Sequence, residues 1–139
     1  MISGFHGTNV NMLYHLPPCN HQQDWITSSV TWGMKGAFEN SNGFTDDISR
    51  WDTRNVTTMR DMFTGATNFN SDIGGWDTSK CTDMAFMLAN TEKFDQDLGK
   101  WDVSSVTTFD YMFSSKTKSP FNQDLSAWNT GKYTRTVQY

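Results

Sequence analysis

The chain has no long apolar run. Its longest unbroken apolar stretch is Met84 to Ala89, six residues, against the roughly 18 needed to span a bilayer. Mean hydropathy is −0.62. Basic charge is also short: 11 Lys and Arg stand against 15 Asp and Glu, a formal net charge of −4. The basic residues are scattered singly, so no cationic stripe invites nucleic acid or anionic lipid. Only two cysteines occur, Cys19 and Cys81. Cys81 shares a column with Val30, Val56, Val106 and Tyr133, which reads as core packing; a Cys19–Cys81 disulfide is the alternative. The first residues, Met-Ile-Ser-Gly-Phe-His, lack the basic and apolar regions of a secretory signal. No Ser-His-Asp order, glycine-rich phosphate loop or isolated carboxylate pair is visible. The expectation is no enzyme activity and no cofactor.

Aromatics are abundant at 14%, and they are ordered. Trp25, Trp51, Trp76, Trp101 and Trp128 are separated by 26, 25, 25 and 27 residues. A period of that size marks a repeat in which each unit is one coil stacked on the next. The units run 25–50, 51–75, 76–100 and 101–127. Residues 1–24 lie off this spacing and read as an N-terminal cap or extension. Residues 128–139 read as a partial repeat or C-terminal cap.

Each coil offers about seven apolar columns. In one coil they are Trp51, Val56, Met59, Met62, Phe63, Phe69 and Ile73. A single coil cannot bury that surface, because its top and bottom stay wet. Seven side chains at roughly 1.5–3 kcal/mol each work against backbone ordering of about 1–2 kcal/mol per residue, so several coils must fold together. The Val-Thr-Thr-Met stretch 56–59 suits a short strand. Apolar residues at 59, 62 and 63 have the spacing of one helical turn. The expectation is a solenoid, mainly β with short helical turns: a right-handed stack of about four to five coils.

Several columns carry two chemical readings. Asp47, Asp72, Asp97 and Asp124 precede the Ile/Leu column, and Asp52, Asp77 and Asp102 follow Trp. They read as turn caps, with calcium ligation as the alternative. The threonines at 31, 57, 82, 107 and 134 form a hydroxyl ladder, with an ice-binding face as the alternative. His6, His15, Cys19 and His21 form a weak metal pattern or a solvated cap. Asn55-Val56-Thr57 is a glycosylation acceptor only in a secreted chain. Trp32, Phe86 and Tyr111 fall off the main columns and are the candidates for an exposed recognition patch, or for satellite packing.

The combined pattern Trp-Asp-x-Ser/Thr-x-Val-Thr-x-Met-x-x-Met-Phe…Phe-Asn-x-Asp-Leu/Ile-x-x-Trp, close to ideal in the 101–128 unit with its FNQDL at 121–125, resembles the BspA-type leucine-rich-repeat surface proteins and the repeat of mycoplasma lipoproteins. The resemblance covers about residues 25–134. It implies a leucine-rich-repeat-like fold, a cell-surface setting, and adhesion or protein binding. The expectation from these residues is that the chain departs from that family in lacking a signal peptide, a lipobox cysteine or an anchor.

The functional expectation is a non-enzymatic protein-binding or structural scaffold module with an unidentified protein partner, possible as a small subunit peripheral to a larger complex. A calcium-dependent cell-surface adhesin is the alternative. An ice-binding protein or an enzyme ranks below both.

Overall fold

The computed structural model describes residues 33–132. The organising contact is a backbone bond between residues 24 apart. The N–H groups of Met34, Gly36, Phe38 and Asn40 donate to the carbonyls of Thr58, Arg60, Met62 and Thr64. Met59, Asp61, Phe63 and Gly65 donate in the same order to Asp83, Ala85, Met87 and Ala89. Met84, Phe86, Leu88 and Asn90 donate to Thr108, Asp110, Met112 and Ser114. Every second N–H of each stretch is thereby used by the stretch that follows. Buried backbone donors need such partners, since an orphaned one costs as much as a lost hydrogen bond.

These stretches are neither helix nor strand, and here the structure differs from the sequence expectation. Among the described residues there is no α-helix and no extended strand; the parallel pairing is reduced to the isolated bridges Thr58–Asp83 and Asp83–Thr108. The expected helical turn at 59–63 is a run of overlapping β-turns. Met62 N–H donates to Met59 O, Thr64 to Asp61 and Ala66 to Phe63. The third residue of alternate turns has positive φ: Gly36, Asp61, Phe86 and Tyr111 in one column, Asn40, Gly65 and Asn90 in another. That sign is what a type II turn requires, and a helix cannot continue through it. Turns place residues i and i+3 on one side, so their apolar spacing imitates a helix. The strand expected at 56–59 stops at one bridge because the first turn begins at Met59.

The compact, largely irregular backbone encloses a large aromatic cluster. Phe44, Phe69, Phe94 and Phe121 stack in sequence at centroid separations of 5.9, 5.6 and 6.1 Å. Trp51 stacks on Trp76, and Trp101 on Trp128, each pair at 6.3 Å and nearly parallel. Methionines fill the space beside them; Met34, Met59, Met62, Met84 and Met87 are fully buried. The indoles also solve a polar problem. Trp76 Nε1–H donates to Ile48 O at 3.0 Å, Trp101 to Ile73 O at 2.9 Å and Trp128 to Leu98 O at 2.8 Å. A buried indole N–H without an acceptor would be costly. Trp25 lies outside the described residues, as do the 1–24 segment and residues 133–139.

Candidate functional site

The two Asp columns sit at corners that flank the Trp column. Asp47, Asp72, Asp77, Asp97, Asp102 and Asp124 each accept, through Oδ1, the backbone N–H two residues on, at 2.8–3.0 Å. Asp52 makes the same bond to Arg54 at 3.3 Å and also holds the Arg54 guanidinium. These are the turn caps expected of Asp. Hydrogen bonds to the charged form favour it. Ser79 accordingly holds Asp77 below the usual carboxylate range, and Ser104 does so for Asp102. Among the described residues no three His, Cys, Asp or Glu side chains gather where they could hold a metal ion.

The threonine column forms the expected ladder. Thr82 Oγ1 donates to Thr57 O at 3.2 Å and Thr107 Oγ1 to Thr82 O at 3.0 Å. A second, buried pair went unread in the sequence: Thr53 Oγ1 donates to Asp77 O, and Thr78 Oγ1 to Asp102 O. Their spacing, two residues after Trp51 and Trp76, was the available signal. Cys81 is a buried free thiol, and burial pushes it up to about 11. At neutral pH it is protonated and a poor nucleophile. Thr31, Thr134, Cys19 and the three histidines lie outside the described residues.

The recognition candidates come together in part. Phe86 and Tyr111 occupy equivalent positions in successive turn stretches, and their rings stack at 5.1 Å with 21° between planes. The Arg60 guanidinium lies over the Phe86 ring, 5.7 Å from its centroid, a cation–π distance. Arg60 also pairs with Asp83 at 3.5 Å and Asp61 at 3.6 Å. Sequence reading missed Arg60, because a lone arginine beside an aspartate carries no signal until the ring one period later is known to sit below it. Tyr111 is 42% exposed, and it is the exposed large hydrophobic residue among those described. Trp32 lies outside the described residues.

The backbone of this ridge is in a left-handed conformation. Phe86 and Tyr111 both have φ of 58°, a region that bulky L-residues adopt only under constraint, at a cost of order 1–3 kcal/mol. The constraint is visible. Phe86 N–H donates to Asp110 O at 2.9 Å, and Thr64 Oγ1 donates to Phe86 O at 2.6 Å. Gly36 fills the equivalent position of the first described stretch without strain. Two large aromatic rings thus stand where glycine or asparagine would relax the backbone.

A second feature lies at the end of the described chain. An apolar hollow of about 750 Å³ opens there, walled by Phe109, Phe113, Phe121, Leu125 and Trp128.

The model for "Mycoplasma protein of unknown function, DUF285" matches residues 9–128. The chain belongs to the DUF285 family. The match takes in the whole stretch from Trp25 to Trp128 and begins ahead of it. No curated protein and no solved structure matches the chain. For this DUF285 chain, no helix among the described residues is long and apolar enough to cross a membrane.

Proposed function

We propose that the chain is a solenoid of coils of about 25 residues, leucine-rich-repeat-like in the manner of BspA-type proteins, and that it works as a non-enzymatic protein-binding or scaffold module. The recurring 24- to 25-residue offset of the long-range backbone bonds supports the coil reading. So does the return of the same indole-to-carbonyl bond at Trp76, Trp101 and Trp128. The observation that carries the binding role is the ridge of Phe86 and Tyr111. Strained, partly exposed aromatic side chains stabilise the core little, and strain of this kind clusters where a surface is used. Rings already stacked on each other have less side-chain freedom to lose on binding.

The test replaces both rings with asparagine, the residue that already occupies left-handed backbone at Asn40 and Asn90. Phe86→Asn with Tyr111→Asn keeps the fold and removes the ridge. Proteins captured from native extract by the unaltered chain are expected to be lost with this variant. Unchanged capture by a variant with an unchanged melting curve would overturn the patch assignment. The calcium-dependent adhesin is disfavoured, because each Asp of the two columns is already engaged by a turn N–H; a chelator that lowers the melting temperature would revive it.

A further inference from the structure

Asn42 and Gly43 are the one Asn-Gly pair in the sequence. They form the middle of a β-turn that closes where Phe44 N–H donates to Ser41 O at 3.0 Å, and both are exposed. The backbone does not require glycine there. The φ of Gly43 is not positive, and a Cβ added to it meets nothing within 4 Å. Positions 43, 68 and 93 are equivalent, each one residue ahead of a stacked phenylalanine, and the other two hold Asn68 and Lys93. What the missing side chain changes is the chemistry of its neighbour. Without a Cβ on Gly43, little shields the Asn42 side-chain carbon from the backbone nitrogen that follows it. Among the described residues no hydrogen bond holds that N–H or the Asn42 side-chain amide. Asn40, Asn55 and Asn90 differ: the N–H after each is donated, to Phe38 O, Thr53 O and Leu88 O respectively.

We propose that Asn42 is a modification site at which the side-chain amide is lost spontaneously, with water as the only co-reactant. The Gly43 nitrogen gives its proton to solvent and attacks Asn42 Cγ. The bond from Cγ to the side-chain nitrogen breaks, and that nitrogen takes a proton from water and leaves as ammonia. The product is a cyclic imide, which water opens at either of its two carbonyls. Cleavage between Cγ and the ring nitrogen gives aspartate. Cleavage between the main-chain carbonyl and the ring nitrogen gives isoaspartate, in which the chain runs through the former side chain. Both products add one negative charge, and no oxidant or reductant takes part. The fold receives them differently. Aspartate fits, since the exposed Glu92 already places a carboxylate at the equivalent position. Isoaspartate adds a main-chain atom between Ser41 and Phe44, so the turn bond cannot close with Phe44 in place. Phe44 is buried and stacked on Phe38 at 4.2 Å and on Phe69 at 5.9 Å. The Asn42 carbonyl that accepts Asn68 Nδ2 at 2.7 Å also becomes a carboxylate. This site is independent of the protein-binding reading.

The experiment incubates the full chain at neutral and mildly alkaline pH and follows digested samples by mass spectrometry. Conversion is expected at Asn42 ahead of every other asparagine, and faster at the higher pH because the attacking nitrogen must lose its proton. Gly43→Lys, which copies the equivalent Lys93, is expected to keep the melting temperature and to convert severalfold more slowly. The isoaspartyl form, separated by chromatography, is expected to melt below the unmodified chain, while Asn42→Asp melts with it. Intact Asn42 after other asparagines have converted, or equal rates with Gly43 and Lys at position 43, overturns the proposal. So does a folded chain that converts far more slowly than the same chain in urea, because the turn would then protect the amide. An isoaspartyl form with an unaltered melting temperature would overturn the predicted displacement of Phe44.

Discussion

Positive φ is concentrated in two columns of the turn stretches, four residues apart, and residue choice there is uneven. Asn40, Gly65 and Asn90 follow the known tolerance of left-handed backbone. Gly65 shows what governs the column. A Cβ added there would stand 2.5 Å from Asn40 Oδ1, on backbone with φ of 72°. Gly65→Ala is expected to destabilise the fold by about 1–2 kcal/mol from the backbone term alone, read as a lower denaturant midpoint with an unchanged slope. A neutral result would mean that the left-handed turn is not maintained in solution. Phe86 and Tyr111 break the same preference, and sequence reading reached them only as residues that fit no column. They do form a column, with Gly36 and Asp61. Glycine and aspartate at the matching positions were the legible sign of a left-handed turn there, but the helix-like spacing of Met59, Met62 and Phe63 concealed it.

The corner and the indole bond are the recurring elements, and both follow from local chemistry. The corners were readable because an Asp side chain accepts the backbone N–H two residues on and so favours a turn, most clearly where Ser or Gly stands there. Their Asp side chains also set the acid response. Hydrogen bonds from Ser49, Ser79, Ser104 and Ser126 lower the pKa of Asp47, Asp77, Asp102 and Asp124 from their ordinary 3.8. A carboxylate whose folded pKa is depressed contributes stability above its unfolded pKa and loses it as pH falls through the folded value. The melting temperature is therefore expected to fall as pH drops below about 3.8, and to change little with these groups above about pH 5. Ser79→Ala with Ser104→Ala should reduce that acid dependence; the same acid slope in both proteins would show that the caps do not carry it. The indole bond was not readable, since a sequence states which residue recurs but not where its N–H points. Trp101→Phe keeps an aromatic ring in the stack and removes the bond to Ile73 O. It is expected to cost about 1–3 kcal/mol, measured by chemical unfolding. Trp101→Ala should cost more, about 3–5 kcal/mol, because a cavity is added.

At the scale of the whole molecule, the contacts join residues roughly one period apart, from the backbone bonds at 24 residues to the indole bonds at 28 and 30. The tryptophan spacing made that period legible, and with it the membership of the buried columns: Val56, Cys81 and Val106 are all buried, as are Ile73 and Leu98. What the period could not convey is how the backbone runs between columns, because turns and helices can share an apolar spacing while differing in φ. If the coils are equivalent, the 25-residue step from Trp51 to Trp76 and from Trp76 to Trp101 has a consequence that an ordinary globular core does not share. Removing one whole period keeps every remaining contact type in register. Deletion of residues 76–100 joins Gly75 to Trp101, which then meets Trp51 and Ile48 O as Trp76 does in the intact chain. The shortened protein is expected to fold cooperatively, with lower stability and a smaller denaturant slope in proportion to the surface removed. A core built once, with each side chain in a unique setting, would not survive the loss of Trp76, Met84, Met87 and Phe94 together. A dispersed amide spectrum and a single unfolding transition in the deletion variant would therefore support a stack of equivalent coils, and a collapsed, non-cooperative product would exclude it.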